Sequence, residues 1–387
     1  MVTATVPAAL TSVSTASAAP IVAPYYAGWS QPSLPPSALP WQSMTHVIHF
    51  SLLPTANGGL SEANGISAAN SQAIVDEAHR RGRKVLIAVG GTPGSEHFAS
   101  AASPANRAVF VRNLVALVNA RGYDGIDLDW ETGVNHGDYV ALVKDLRAAL
   151  GTKLLSAVYL GSWSALARDT HAYLDWVSMM TYLPYGQPSN AHNSAIYGSL
   201  YARIDNLVNL WTGSGVPVAK ILPGLATYAS VWSGGSLVTA EMPYATAKAR
   251  GYTAGQAWDA TALTSYWSSG GTWVSIENDR SVKAKADYIR AKGVGGLVVW
   301  ELGAGRDGSS IPLMTSVGTH LLGTPSAEAP PAAMPVASPI KVGDRVRVTA
   351  GRFTSNTGTV SWVGSAYASV RFWFGTRSVL VRDLVKI

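Results

Sequence analysis

Cysteine is absent from the 387 residues, which excludes disulfides, thiolate metal ligands and a cysteine nucleophile. Charge is also sparse: Asp, Glu, Lys and Arg make up 13% of the chain, against 47% hydrophobic residues. That balance supplies a large core and argues against global disorder. No apolar run approaches the roughly 18 residues of a spanning helix. No GxSxG sequence is present, so a serine-hydrolase elbow has no support. Phenylalanine is scarce at 6, while Trp and Tyr number 13 and 16. The bias is toward rings with a polar edge, which stack on sugar faces and hydrogen-bond at their rim.

The net charge of +6 is concentrated at one end. Residues 341–387 hold eight Lys/Arg against Asp344 and Asp383, so the preceding residues are balanced. A globally basic, nucleic-acid-coating protein is therefore not expected. Residues 1–20 contain no Lys or Arg; despite Ala16-Ser17-Ala18, they read as a leader or truncated signal. Five prolines within 324–340 mark a semi-rigid linker.

Between residues 21 and 323, short β-branched runs alternate with amphipathic stretches. The expected strands are 21–27, 46–52, 84–90, 125–131, 154–159, 176–182, 220–226 and 296–300. Helical patterns include 71–81, 104–120, 138–150 and 281–292. Eight apolar strands joined by crossovers predict an α/β chain, a (β/α)8 TIM barrel. The Trp- and Gly-rich residues 227–280 predict an inserted lobe before the last strand. Residues 341–387, broken by regular glycines, predict a small all-β domain.

The strongest local signal is Asp124-Gly125-Ile126-Asp127-Leu128-Asp129-Trp130-Glu131. On a strand, Asp127, Asp129 and Glu131 share one face. Three inward carboxylates repel unless protons are shared, which is what an acid catalyst needs. A Mg²⁺ or Ca²⁺ site is the competing reading, although Ile126 and Leu128 favour a buried strand over a ligand loop. Asp124 is out of phase and reads as structural, and Gly125 as making room. Gly303–Gly308 matches GxGxxG, but no following strand completes a dinucleotide site. His46 and His49, three apart on a strand, face opposite ways and make no metal pair.

The segment DGIDLDWE resembles the DGxDxDxE signature of glycoside hydrolase family 18, the chitinase family. VAPYYAGW (22–29), THVIHF (45–50), KVLIAVGG (84–91), Met180-Thr181-Tyr182, SVKAK (281–285) and GLVVWEL (296–302) are similar to its other landmarks, in order. The resemblance implies a chitinase with a substrate-assisted retaining mechanism. Glu131 would be the acid and then the base. Asp129 would orient the sugar's acetamido group, with Asp127 sharing its proton and Tyr182 holding the acetamide. Tyr25, Trp300, Met180, Trp130, Gly90, Gly91, Tyr228 and Trp232 would line the substrate site. No metal or cofactor is implied.

Trp29, Trp41, Trp163, Tyr185, Trp258 and Trp267 are further candidates for a polymer cleft. Two positions depart from the family pattern. Ala88 replaces a serine that would support the inner carboxylate, and Leu183 replaces an acid or amide after Tyr182. Both predict an altered pH profile with activity retained. An endo-β-N-acetylglucosaminidase acting on N-glycans and a weakly catalytic chitin-binding lectin are the alternatives.

The tail segment VGDRVRVTAGRFTSNTGTV resembles a KOW/SH3-like barrel. Its basic residues, with Trp362, Tyr367, Phe372, Trp373 and Phe374, would bind chitin or an anionic cell-wall polymer, nucleic acid being the less favoured partner. The protein is expected to be secreted, monomeric and free of membrane.

Overall fold

The computed structural model describes residues 19–92, 95–182, 189–198, 203–324, 341–348, 356–363, 367–372, 375–380 and 384–386. Eight parallel strands run in chain order around a closed barrel: Ile21–Ala27, His46–Pro54, Lys84–Gly90, Gly125–Asp129, Leu154–Leu160, Trp176–Met180, Ile221–Ala226 and Gly296–Trp300. Each pairs with its neighbours, and the first pairs with both the second and the last, closing the ring.

The strands alternate between two cores. Val22, Val85, Ile87, Ile126, Leu128 and Val177 face the surrounding helices, in one large apolar layer. Ala23, Tyr25, Leu86, Ala88, Met180 and Val298 fill the barrel interior. That alternation follows from the strand's two-residue period and carries Asp127 and Asp129 inward. His46 and His49 separate as expected: His46 meets Trp176 of the inner cluster, while His49 stacks on Tyr26 of the outer layer.

Helices 68–80, 107–121, 136–150 and 279–292 occupy the predicted stretches, shifted by a few residues at their ends. Ser67 and Asn135 cap two of them, and Asn278 with Ser281 forms a capping box on a third.

The inserted lobe lies between the seventh and eighth barrel strands. It is a five-stranded antiparallel sheet in the order 236–242, 229–233, 272–275, 264–269, 257–259. Ala229, Val231, Met242 and Val274 form its own small core. Glu277 and Lys285 make a fully buried ion pair at its base, with Nζ 2.8 Å from a carboxylate oxygen.

The tail contains a further five-stranded antiparallel sheet. Val346, Val360, Val370 and Phe372 are its core, so Phe372 packs inward instead of offering a binding ring. Trp373 and Phe374 lie outside the described residues, as do the predicted linker beyond residue 324 and the leader up to residue 18. Among the described residues no helix is long and apolar enough to cross a membrane.

Candidate active site

The fourth barrel strand supplies the carboxylates. Asp127 is completely buried; its Oδ1 accepts the Ser156 hydroxyl at 2.5 Å and its Oδ2 the Tyr25 hydroxyl at 2.9 Å. Burial outweighs these two donors and pushes Asp127 up to about 6. Asp129, 5% exposed, has an Oδ1 without a hydrogen-bond partner. Burial raises it well above the ordinary carboxylate range, and the charges of Glu131 and Asp127 raise it further.

Glu131 lies just past the strand, at its C-terminal end, where the chain turns to donate its backbone N–H to Ser95 Oγ. Its side chain is half-buried. Desolvation raises its pKa, opposed by hydrogen bonds from the Thr92 hydroxyl and backbone. The three carboxylates thus differ in environment: one held by two hydroxyls, one buried and unpartnered, one at the mouth.

Tyr182 follows the sixth strand and is 5% exposed. Burial and the nearby charges of Asp129 and Glu131 hold its phenol protonated. Gly224 makes room for this ring, since a Cβ there would lie 2.2 Å from Tyr182 Cε1. Behind it, the fully buried Tyr228 donates its hydroxyl to the Tyr182 carbonyl at 2.8 Å. That makes Tyr228 a buttress; its expected place on the sugar-lining wall is corrected, because the ring has no exposed surface.

An aromatic floor surrounds the carboxylates. Trp300 meets Tyr25 edge to face at 5.5 Å and Phe50 at 4.8 Å, and Trp29 meets Phe50 at 5.7 Å. Met180 belongs to the same interior cluster.

Three other expectations change. Trp130 is fully buried in the outer layer, stacked between Phe98 at 5.1 Å and Tyr139 at 5.5 Å, with its indole donating to the Thr132 carbonyl. Alternation turns it away from Asp129, so it does not line the substrate site. Gly90 and Gly91 serve backbone shape. Their φ angles are +110° and +88°, and a Cβ would collide with the Asp129 carbonyl or the Phe50 ring. Trp232 is 3% exposed within the lobe sheet, its indole N–H unpartnered, in register with Trp273.

Trp41 is buried and donates to the Pro36 carbonyl, and Trp163 packs on the outer layer. Trp267 packs beside Tyr252 on the lobe core. Tyr185 and Leu183 lie outside the described residues.

Sequence reasoning missed Ser156, Phe50, Thr92, Ser95 and Glu241. Glu241 stands on the lobe strand 236–242. Its side chain is exposed, with protein crowded around its carboxyl. It accepts a hydrogen bond from the Trp300 indole, and both burial and the charge of Glu131 raise its pKa. Only Phe50 had a signal, being the last residue of a quoted strand motif. The others meet the site through the fold.

The competing metal reading fits poorly. Both Asp127 oxygens are engaged by hydroxyl donors. That leaves Asp129 and Glu131, far short of the about six oxygens that Mg²⁺ or Ca²⁺ takes. The GxGxxG turn is likewise satisfied from within: Gly303 and Ala304 N–H groups hold the buried Glu301 carboxyl at 2.8 and 2.6 Å.

A closed parallel barrel with an acidic strand opening at its C-terminal end, walled by aromatic rings, defines a glycoside-hydrolase type of site. Residues 21–305 match Glycosyl hydrolases family 18, and the chain belongs to that family. It is 28% identical to Chitinase A1 of Niallia circulans over 287 residues, covering 58% of this chain and 41% of that one. It is 26% identical to Class V chitinase CHIT5 of Lotus japonicus over 332 residues, covering 74% and 83%. The chain spans about two-fifths to three-fifths of the length of several curated relatives.

Catalytic domain 2 of a Group II chitinase from Ostrinia furnacalis, solved with penta-N-acetylchitooctaose, shares the fold. Its TM-score is 0.69 at 22% identity, over 81% of this chain and 98% of that one.

Proposed function

We propose that the protein is a chitinase, hydrolysing β-1,4 bonds between N-acetylglucosamine units with retention of configuration. The observation that carries this reading is the graded carboxylate row, with Asp129 unpartnered between a hydroxyl-held Asp127 and a half-open Glu131.

In the first step the Glu131 carboxyl gives its proton to the glycosidic oxygen as the C1–O bond breaks. The sugar's own acetamido oxygen closes onto C1, forming an oxazolinium ion. Asp129 orients the acetamide and balances the positive charge on it, and Asp127 shares the proton between the two aspartates. The Tyr182 phenol holds the acetamido carbonyl in attack geometry. Trp300 and Met180 form the apolar floor beneath the sugar; Tyr25, expected on its wall, is fully buried and backs Trp300 while its hydroxyl holds Asp127. In the second step Glu131, now a carboxylate, takes a proton from water while the water oxygen bonds to C1. The oxazolinium ring opens and the acetamide is restored.

The relatives named chitinases in several organisms support this substrate, as does the solved neighbour with a chito-oligosaccharide. The tail reads as a KOW/SH3-like domain that holds chitin or an anionic wall polymer. Arg345 and Arg371, both exposed, flank Thr359 in one row across three of its strands. Secretion and a monomeric state complete the reading.

The test is product analysis on chitohexaose and colloidal chitin, for wild type and Glu131→Gln. Short β-configured oligomers from wild type alone support it. Wild-type inactivity on chitin, with cleavage of a glycoprotein core, would replace it with the N-glycan enzyme. Binding without any turnover would replace it with the lectin.

A further inference from the structure

Away from the catalytic cleft, the lobe carries a cavity of about 770 Å³, within the size range of small-ligand sites. Its walls come from the lobe strands 257–259, 264–269 and 272–275 and from the segments around Asn190 and Arg203. In the lobe sheet these strands lie on the side away from the strand bearing Glu241. Strand 264–269 is three spacings from it, roughly 14 Å. None of the residues lining the cavity belongs to the carboxylate row or its aromatic floor.

The chemistry of the lining is specific. Trp258, expected in the polymer cleft, lines this cavity instead; with Tyr266 and Trp273 it presents a partly exposed ring with a polar edge. Arg280 lies 4.0 Å from the Trp258 ring centroid, stiffening that ring from one side, and Tyr266 stacks with Trp273 at 5.7 Å. Arg203 is 5% exposed. Its Nη1 donates to the His192 carbonyl at 2.9 Å, while its Nε has no partner.

Asp259 and Arg203 are the only formal charges of the lining and cancel. His192, desolvated, is pushed down to about 4 and stays neutral. Asn190, Thr261 and Ser268 add exposed amide and hydroxyl groups. Among the described residues, the non-glycine positions with left-handed backbone are Asn190, Ser194 and Leu263, all in or within two residues of this lining. Such conformations carry strain that the surrounding packing must hold.

Formal charges that cancel favour a neutral ligand over a phosphate or a polycation. Rings with polar edges, beside an unpartnered guanidinium N–H and several hydroxyls, fit a neutral polyhydroxylated ligand. We propose that this cavity is a second saccharide site, taking an N-acetylglucosamine oligomer and holding polymer on the enzyme apart from the cleft. The inference rests on the chitinase reading of the catalytic site.

The test is calorimetric titration of the full-length Glu131→Gln protein with chitotetraose, beside turnover of chitotetraose by wild type. The cleft and the lobe are expected to bind one oligomer each, beside any site on the tail, and the count falls by one in Glu131→Gln/Trp258→Ala and in Glu131→Gln/Asn190→Gly. The second variant removes the amide while keeping the backbone conformation. In the active background, Trp258→Ala and Asn190→Gly leave chitotetraose turnover unchanged and lower hydrolysis of insoluble chitin about 2- to 5-fold. One site per chain with wild-type turnover intact overturns the second site alone. So does a site count that both substitutions leave unchanged. Absence of both turnover and binding overturns the substrate reading, and this inference with it.

Discussion

The Ser156 hydroxyl donates to Asp127 Oδ1 at 2.5 Å from the strand on one side of the carboxylate row. On the other side, Ala88 stands in register with Asp127 and offers only a methyl group. The hydroxyl that a serine would supply at position 88 is missing, as expected. Support arrives from the fifth strand, whose Ser156 is also in register with Asp127.

Ser156→Ala removes one of the two donors that hold Asp127 ionised. Its pKa, already about 6, rises further. The acidic limb of the pH–rate profile is expected to move up by about half a unit to one unit, with thermal stability little altered. An acidic limb that stays in place would show that Asp127 is not part of the titrating unit.

Asp127 also makes stability depend on pH. Its folded-state pKa of about 6 exceeds the ordinary 3.8, so the folded state binds the extra proton. The stability this contributes is fully present below about pH 4 and is lost as pH rises through 6. Asp127→Asn, which cannot ionise, is expected to melt higher than wild type at pH 8. The gain is on the order of 1–3 kcal/mol, closing toward pH 4. Melting curves of both proteins across that range check it.

Glu241→Gln removes a negative charge from the neighbourhood of Glu131 and keeps an acceptor for the Trp300 indole. The pKa of Glu131 then falls, so the acid loses its proton at lower pH. The alkaline limb of the activity profile is expected to shift down by about half a unit. An upward shift would place Glu241 in a different role.

Gly224→Ala places a methyl group within 2.2 Å of the Tyr182 ring carbon, which must move. A phenol displaced by about 1 Å costs on the order of 100-fold in kcat. Circular dichroism should remain that of the folded barrel, separating a misplaced Tyr182 from a misfolded chain.

Lys285→Met leaves Glu277 as an unpaired buried carboxylate beneath the lobe. The expected cost is about 3–5 kcal/mol. The double variant Lys285→Met/Glu277→Leu should recover most of it, because both charges are then gone. Chemical denaturation of the three proteins measures the difference.

The barrel was legible because its strands are buried on both sides and read as uninterrupted apolar runs, close to their observed limits. The apolar run of the fourth extends to Glu131, but the strand ends at Asp129, where the ladder stops and the Glu131 N–H turns to Ser95. The family resemblance places Trp130, between two acidic residues, at the substrate site. The alternation that turns those residues inward sends its ring outward between Phe98 and Tyr139. Glu241 carried no local signal. On an isolated strand it is one carboxylate among exposed residues, and only docking of the lobe over the barrel brings it to Trp300 and Glu131.

Local sequence sets the order of strands and helices, the inward phase of Asp127 and Asp129, and the segregation of excess positive charge in the tail. Each of these depends on neighbours a few residues apart, through the period of a strand or the composition of a segment. Tertiary structure alone decided which hydroxyls hold Asp127, which ring Gly224 admits and how far each carboxyl is shifted. Those outcomes depend on groups a few ångströms away in space but distant in the chain. Tyr25 and Ser156 meet Asp127 from 102 and 29 residues away, through a register that only barrel closure imposes.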